Sequence, residues 1–158
     1  MSLQSPVGSD HQLARLLQIG VVLEEVVEAR ATKHTESDAI DDDVRELLEE
    51  AAAESERHRE QIDGIIDELD ADTIPFDEIQ PLVEQQYEAD QDFDGVLYDQ
   101  LCNEETAYKF YDDLIGAVEQ SEASFSIDRD RLLDTLRTIR AEEEAGVEAV
   151  TELMEHGT

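Results

Sequence analysis

The sequence predicts an all-α fold, a four-helix bundle of two antiparallel helix pairs joined by a long crossover that contains a short helix. Three observations carry this. Four successive stretches each hold an apolar seam with spacing 4, 3, 4, 3, the repeat of one helix face. Strand signals are absent. Two short turns and one long connection separate the four stretches, as expected for a hairpin, a crossover and a second hairpin.

The first helix opens at Ser9-Asp10-His11-Gln12, which has capping-box spacing, and runs to about Lys33. Its seam is Leu13, Leu17, Gly20, Glu24, Val27, Ala31. The second begins where Asp41, Asp42 and Asp43 place negative charge at a helix N-terminus, and runs to about Leu69. Its seam is Val44, Leu48, Ala51, Ser55, His58, Ile62, Ile65, Leu69. The connection 70–94 holds Pro75, a Pro81 suited to a first helical turn, and a short amphipathic stretch over 82–88. The third helix runs from about Gly95 to Glu119, with the seam Leu97, Leu101, Glu104, Tyr108, Tyr111, Ile115, Val118. The fourth spans about Asp128 to Glu155, with the seam Leu132, Leu136, Ile139, Glu143, Gly146, Val150, Leu153. Residues 9–158 are read as one domain behind a flexible N-terminus of residues 1–8.

Each seam is broken near its middle by a residue able to ligate metal: Glu24, His58, Glu104 and Glu143. Glu24 and Ser55 are equidistant from the first turn, and Glu104 and Glu143 from the second, so these residues should share one depth. An ionised group in an apolar seam is costly unless paired or bound to a cation. Three carboxylates and an imidazole at one level therefore suggest a metal site between the helices, and by count they suit one ion better than two. Glu54 lies one residue off its seam and Glu28 one turn after Glu24, so either can supply a further carboxylate by turning inward. Ligands of this type suit iron, manganese or zinc.

The third helix, Glu104-Glu105-Thr106-Ala107-Tyr108-Lys109-Phe110-Tyr111, resembles the Glu-x-x-Ala-Tyr-x-Phe-Tyr motif of the ferritin-like superfamily, in particular its rubrerythrin-type members. The resemblance spans residues 11–155. In that family the first and third helices each give a Glu and the second and fourth each give Glu-x-x-His around two metal ions. Here Ser55 stands in place of the second helix's Glu, and Gly146 in place of the fourth helix's His. Glu28 matches the family's Glu-x-x-Ala spacing while Glu24 matches the depth, so the first-helix ligand stays open between them. The resemblance implies iron or manganese handling or peroxide defence, with Glu104 and Glu143 as bridging or terminal ligands, a homodimer, and a separate electron donor if the protein is redox active.

A second reading stays open: a metal-free bundle acting as a structural or interaction module. Glutamate fills 24 of 158 positions, so acidic motifs arise cheaply in this chain. In this reading His58 and Glu143 form a buried ion pair, with Tyr108 or Tyr111 donating to Glu104. Gly146 bears on the choice. The metal reading favours open space there for water or an exogenous ligand, and the scaffold reading favours a neighbouring helix packed against it.

The formal net charge is -32, from 43 acidic against 11 basic residues. Such charge makes nucleic acid or an anionic membrane an unsuitable partner and strains the fold by self-repulsion in dilute salt. It resembles the composition of proteins from extreme halophiles, whose surfaces concentrated cations screen. A lone Cys102 excludes an internal disulfide or a Cys-x-x-Cys metal centre within the chain. With neither a membrane-length apolar run nor a leader pattern, the sequence predicts a soluble, cytoplasmic protein.

Overall fold

The computed structural model describes residues 7–38, 40–73, 77–78, 81 and 95–156. Over these residues it is a bundle of four helices: α1 (Asp10–Thr35), α2 (Asp42–Glu68), α3 (Val96–Glu119) and α4 (Arg129–His156). The amphipathic stretch expected over 82–88 lies outside the described residues. Helices α1 and α2 form one antiparallel pair and α3 and α4 the other, with α1 against α3 and α2 against α4 closing the bundle. The crossover between α2 and α3 joins the two pairs.

Local chemistry fixes the helix ends. The Ser9 hydroxyl accepts from the Gln12 N–H, and the Gln12 side chain accepts in return from Gly8 N–H, one residue before the cap. At both tight turns an arginine from the start of one helix donates to carbonyls near the end of the previous one. Arg45 donates to the Thr35 and Ser37 carbonyls. Arg129 donates to those of Val118, Ser121 and Ala123, and lies over the Phe125 ring. A guanidinium there meets carbonyls left without intrahelical partners, at the negative end of the helix dipole.

The core is the one the seams predict along most of their length, with Leu13, Leu17, Leu48, Ile62, Ile115, Leu132, Leu136 and Ile139 essentially inaccessible. It extends further back than the capping box: Val7 is buried, donates its N–H to the Ala117 carbonyl, and accepts from the Ser121 hydroxyl. The first half of α3 differs from its seam. Leu97 and Leu101 are only half-buried, while Asp99, Gln100 and Asn103 face inward. Asp99 pairs with Arg30 at 2.6 Å and His34 at 2.6 Å on α1, so α3 turns a polar edge toward that helix. No helix among the described residues is long and apolar enough to cross a membrane.

Candidate metal centre

All four seam interruptions meet in the middle of the bundle. Glu24 from α1, His58 from α2, Glu104 from α3 and Glu143 from α4 are each less than 7% exposed. His58 Nδ1 lies 3.3 Å from Glu24 Oε1 and 3.2 Å from Glu143 Oε1, so three helices contribute to one buried cluster. The helical period explains the convergence: seam residues at one depth on facing helices must point at one another.

Glu104 stands beside this cluster. Its carboxylate accepts from Gln100 Nε2 at 2.9 Å and from the Glu143 carboxyl. Burial raises the Glu104 carboxyl, and those two hydrogen bonds partly oppose the rise. Burial pushes the Glu143 carboxyl far above the ordinary range, and the neighbouring carboxylates of Glu24 and Glu104 push it the same way. Glu143 thus keeps a proton between two acceptors. Burial pulls His58 down, but the carboxylates led by Glu24 outweigh it and raise the imidazole above its usual value.

Tyr111 donates to Glu24 Oε1 at 2.7 Å. The hydroxyl expected against Glu104 is therefore on Glu24, and Tyr108 is only half-buried. Burial raises the Tyr111 phenol well above its usual value, and the adjacent Glu24 adds to this, so it stays a donor.

The space beside Gly146 is occupied. A Cβ built on Gly146 would lie 2.5 Å from Glu104 Oε2 and 2.7 Å from its Cδ, so the Glu104 carboxylate fills the position from which the family's histidine would project. In that direction the expectation of open space is corrected, while the glycine backbone also borders a cavity between α2 and α4. The glycine lets α3's carboxylate rest against α4's backbone.

The structure separates the two first-helix candidates. Glu24 joins the cluster, whereas Glu28 turns away to pair with Arg59 at 2.7 Å. Glu54 forms a second grouping with His58 and Glu142. His58 Nε2 is 3.7 Å from Glu54 Oε1 and 3.5 Å from Glu142 Oε1, too far for ordinary hydrogen bonds. Sequence reasoning passed over Glu142 because its neighbour Glu143 occupied the seam. The only available sign was His58 itself, whose second nitrogen also needs a partner. Burial pushes Glu54 up to about 7, with the Glu104 and Glu142 charges adding to it.

Several buried polar atoms have no hydrogen-bond partner: Glu24 Oε2, Glu54 Oε1, His58 Nε2, Gln100 Oε1 and Asn103 Nδ2. Three of them belong to residues of the two Glu/His groupings. Buried lone pairs left unmatched are expensive, and the two groupings, which share His58, offer carboxylate and imidazole donors that fit a single divalent ion. Comparison with known protein families, with curated proteins and with solved structures finds no match. The two helix pairs, the crossover between them and the central Glu/His clusters are consistent with the broad ferritin-like superfamily.

Proposed function

We propose that this chain is a rubrerythrin-like member of the ferritin-like superfamily that holds one divalent ion, iron or manganese, through Glu24, His58 and Glu143, and serves iron handling or peroxide defence. The observation that carries the reading is His58: a fully buried imidazole whose Nδ1 lies 3.3 Å and 3.2 Å from the buried carboxylates of Glu24 and Glu143, one from each of two other helices. Glu104 is the reserve ligand, since its carboxylate already hydrogen-bonds that of Glu143 at the edge of the cluster. When bound, such an ion would supply one-electron redox chemistry. The residues' part is to fix it in an apolar sleeve, with Tyr111 orienting Glu24 and Gln100 orienting Glu104. Binding must displace the proton held by Glu143, so affinity falls as pH falls. A separate electron donor goes with this reading, since Cys102 alone forms no Cys-x-x-Cys centre, and the acidic composition suits concentrated salt. A second copy of the chain is the family's usual partner.

The test is elemental analysis of protein purified in molar salt without chelator. One equivalent of metal is expected in the parent and in Glu78→Ala, whose side chain is exposed in the crossover, with loss in Glu24→Ala, His58→Ala and Glu143→Ala. Equal metal in all of them would mean that ions are attracted nonspecifically to an acidic surface. A second reading, a metal-free module, draws support from the mutual hydrogen bonds of Glu143, Glu104 and Gln100 and from the filled notch at Gly146. A parent protein free of metal and refractory to added iron and manganese would establish it.

A further inference from the structure

His58 faces two sets of carboxylates through two different nitrogens. Nδ1 looks inward to Glu24 and Glu143, both buried. Nε2 looks to Glu54 and Glu142, whose side chains are 26% and 30% exposed. Glu54 and Glu142 also line a cavity of about 310 Å³ between α2 and α4, together with Glu50, Glu104 and Gly146. Arg57 binds the far oxygen of Glu142, which leaves Oε1 for the imidazole side. An acidic pair on a bundle surface means little by itself. What distinguishes this one is the fully buried, unpartnered Nε2 aimed between its two members.

A neutral imidazole offers one lone pair, and its other nitrogen carries a proton that needs an acceptor. A cation on Nδ1 leaves an Nε2–H facing Glu54 and Glu142. A cation on Nε2 leaves an Nδ1–H facing Glu24 and Glu143. Each carboxylate set therefore ligates in one arrangement and orients the ring in the other.

We propose that Glu54, Glu142 and Nε2 of His58 form a second, outer divalent-cation site, and that it competes with the inner site for the single lone pair of His58. This rests on the metal reading of the inner cluster. The outer set is the one an ion meets first from the solvent-facing cavity. Passage inward exchanges the ring's tautomer: the protons on Nδ1 and on Glu143 leave to solvent as the ion takes their places, one proton reaches Nε2 from water through Glu54 or Glu142, and the ring ends neutral. Two sites then hold one ion at a time.

Cobalt(II) is a suitable probe because its visible spectrum reports coordination and its uptake can be followed by stopped flow in molar salt. The parent is expected to bind one Co²⁺ per chain in two phases, a fast one at the outer site and a slower spectral change as the ion moves inward. Glu54→Gln/Glu142→Gln should keep one Co²⁺ but lose the fast phase, loading at least about tenfold more slowly. Glu24→Gln/Glu143→Gln should hold one Co²⁺ more weakly, with the spectrum of the fast phase. Should either double variant lose helicity, the single rim variant Glu142→Gln decides: a diminished fast phase supports the outer site, and an unchanged one overturns it. Two Co²⁺ per parent chain would overturn the competition. Parent-like loading in Glu54→Gln/Glu142→Gln, or no binding by a folded Glu24→Gln/Glu143→Gln, would overturn this inference alone. A parent that binds no cobalt would overturn both it and the metal reading beneath it.

Discussion

The contact between Gly146 and Glu104 sets two physical effects against each other. Alanine in place of a helical glycine gains about 1 kcal/mol of helix propensity. Its Cβ would meet the Glu104 carboxylate at 2.5 Å, and moving that buried group breaks its hydrogen bonds to Gln100 and Glu143 at about 1–3 kcal/mol each. Gly146→Ala is therefore expected to lower the melting temperature of the metal-free protein by several degrees, and a higher melting temperature would mean that Glu104 moves freely. Glu54 gives the pH dependence. Its carboxyl titrates near 7 in the folded chain against an ordinary value of 4.5, so the folded state binds the proton more tightly than the unfolded state. Stability from this group is full below about pH 4.5 and is lost as pH rises through about 7. Metal-free protein in constant molar salt should melt higher at pH 5 than at pH 8, and Glu54→Gln should narrow that difference. A gap as wide in the variant would assign the effect to other groups. Of the site itself, the depth of Glu24, His58, Glu104 and Glu143 was legible from helical period. The choice of Glu24 over Glu28 was not, because it depends on Arg59 from another helix drawing Glu28 outward.

At the scale of elements, sequence reasoning and structure agree on all four helices to within about two residues, because capping, acidic first turns and apolar period act locally. They diverge in the first half of α3. Leu97 and Leu101 continued the repeat, yet Asp99, Gln100 and Asn103 are the buried residues. No local pattern announces this, since Asp99 is drawn inward by Arg30 and His34, which lie 69 and 65 positions away. Such a pair is costly to break from one side. Asp99→Ala should destabilise the protein by about 1–3 kcal/mol in a denaturant titration, because Asp99 is buried while Arg30 and His34 are half-buried and can rehydrate once it is gone. A double-mutant cycle with Arg30→Ala measures the share due to the pair, and additive losses would show that Asp99 acts elsewhere.

The whole molecule carries a formal charge of -32 on a fold whose core is regular and apolar, so its free energy of folding should depend steeply on screening. Circular dichroism is expected to show native helicity in molar salt and loss of helicity or a much lower melting temperature after dialysis to dilute buffer. Unchanged melting at low salt would refute the halophilic reading. The arginines at the two turns carry a further consequence, for the order of folding. Arg45 and Arg129 reach carbonyls only 6 to 11 positions back along the chain, so each hairpin can close early on short-range contacts. Bringing the hairpins together is a separate event that must set Glu24 and His58 of one against Glu104 and Glu143 of the other. That docking is expected to limit refolding, and cations or protons that quiet the central carboxylates should accelerate it in a stopped-flow experiment.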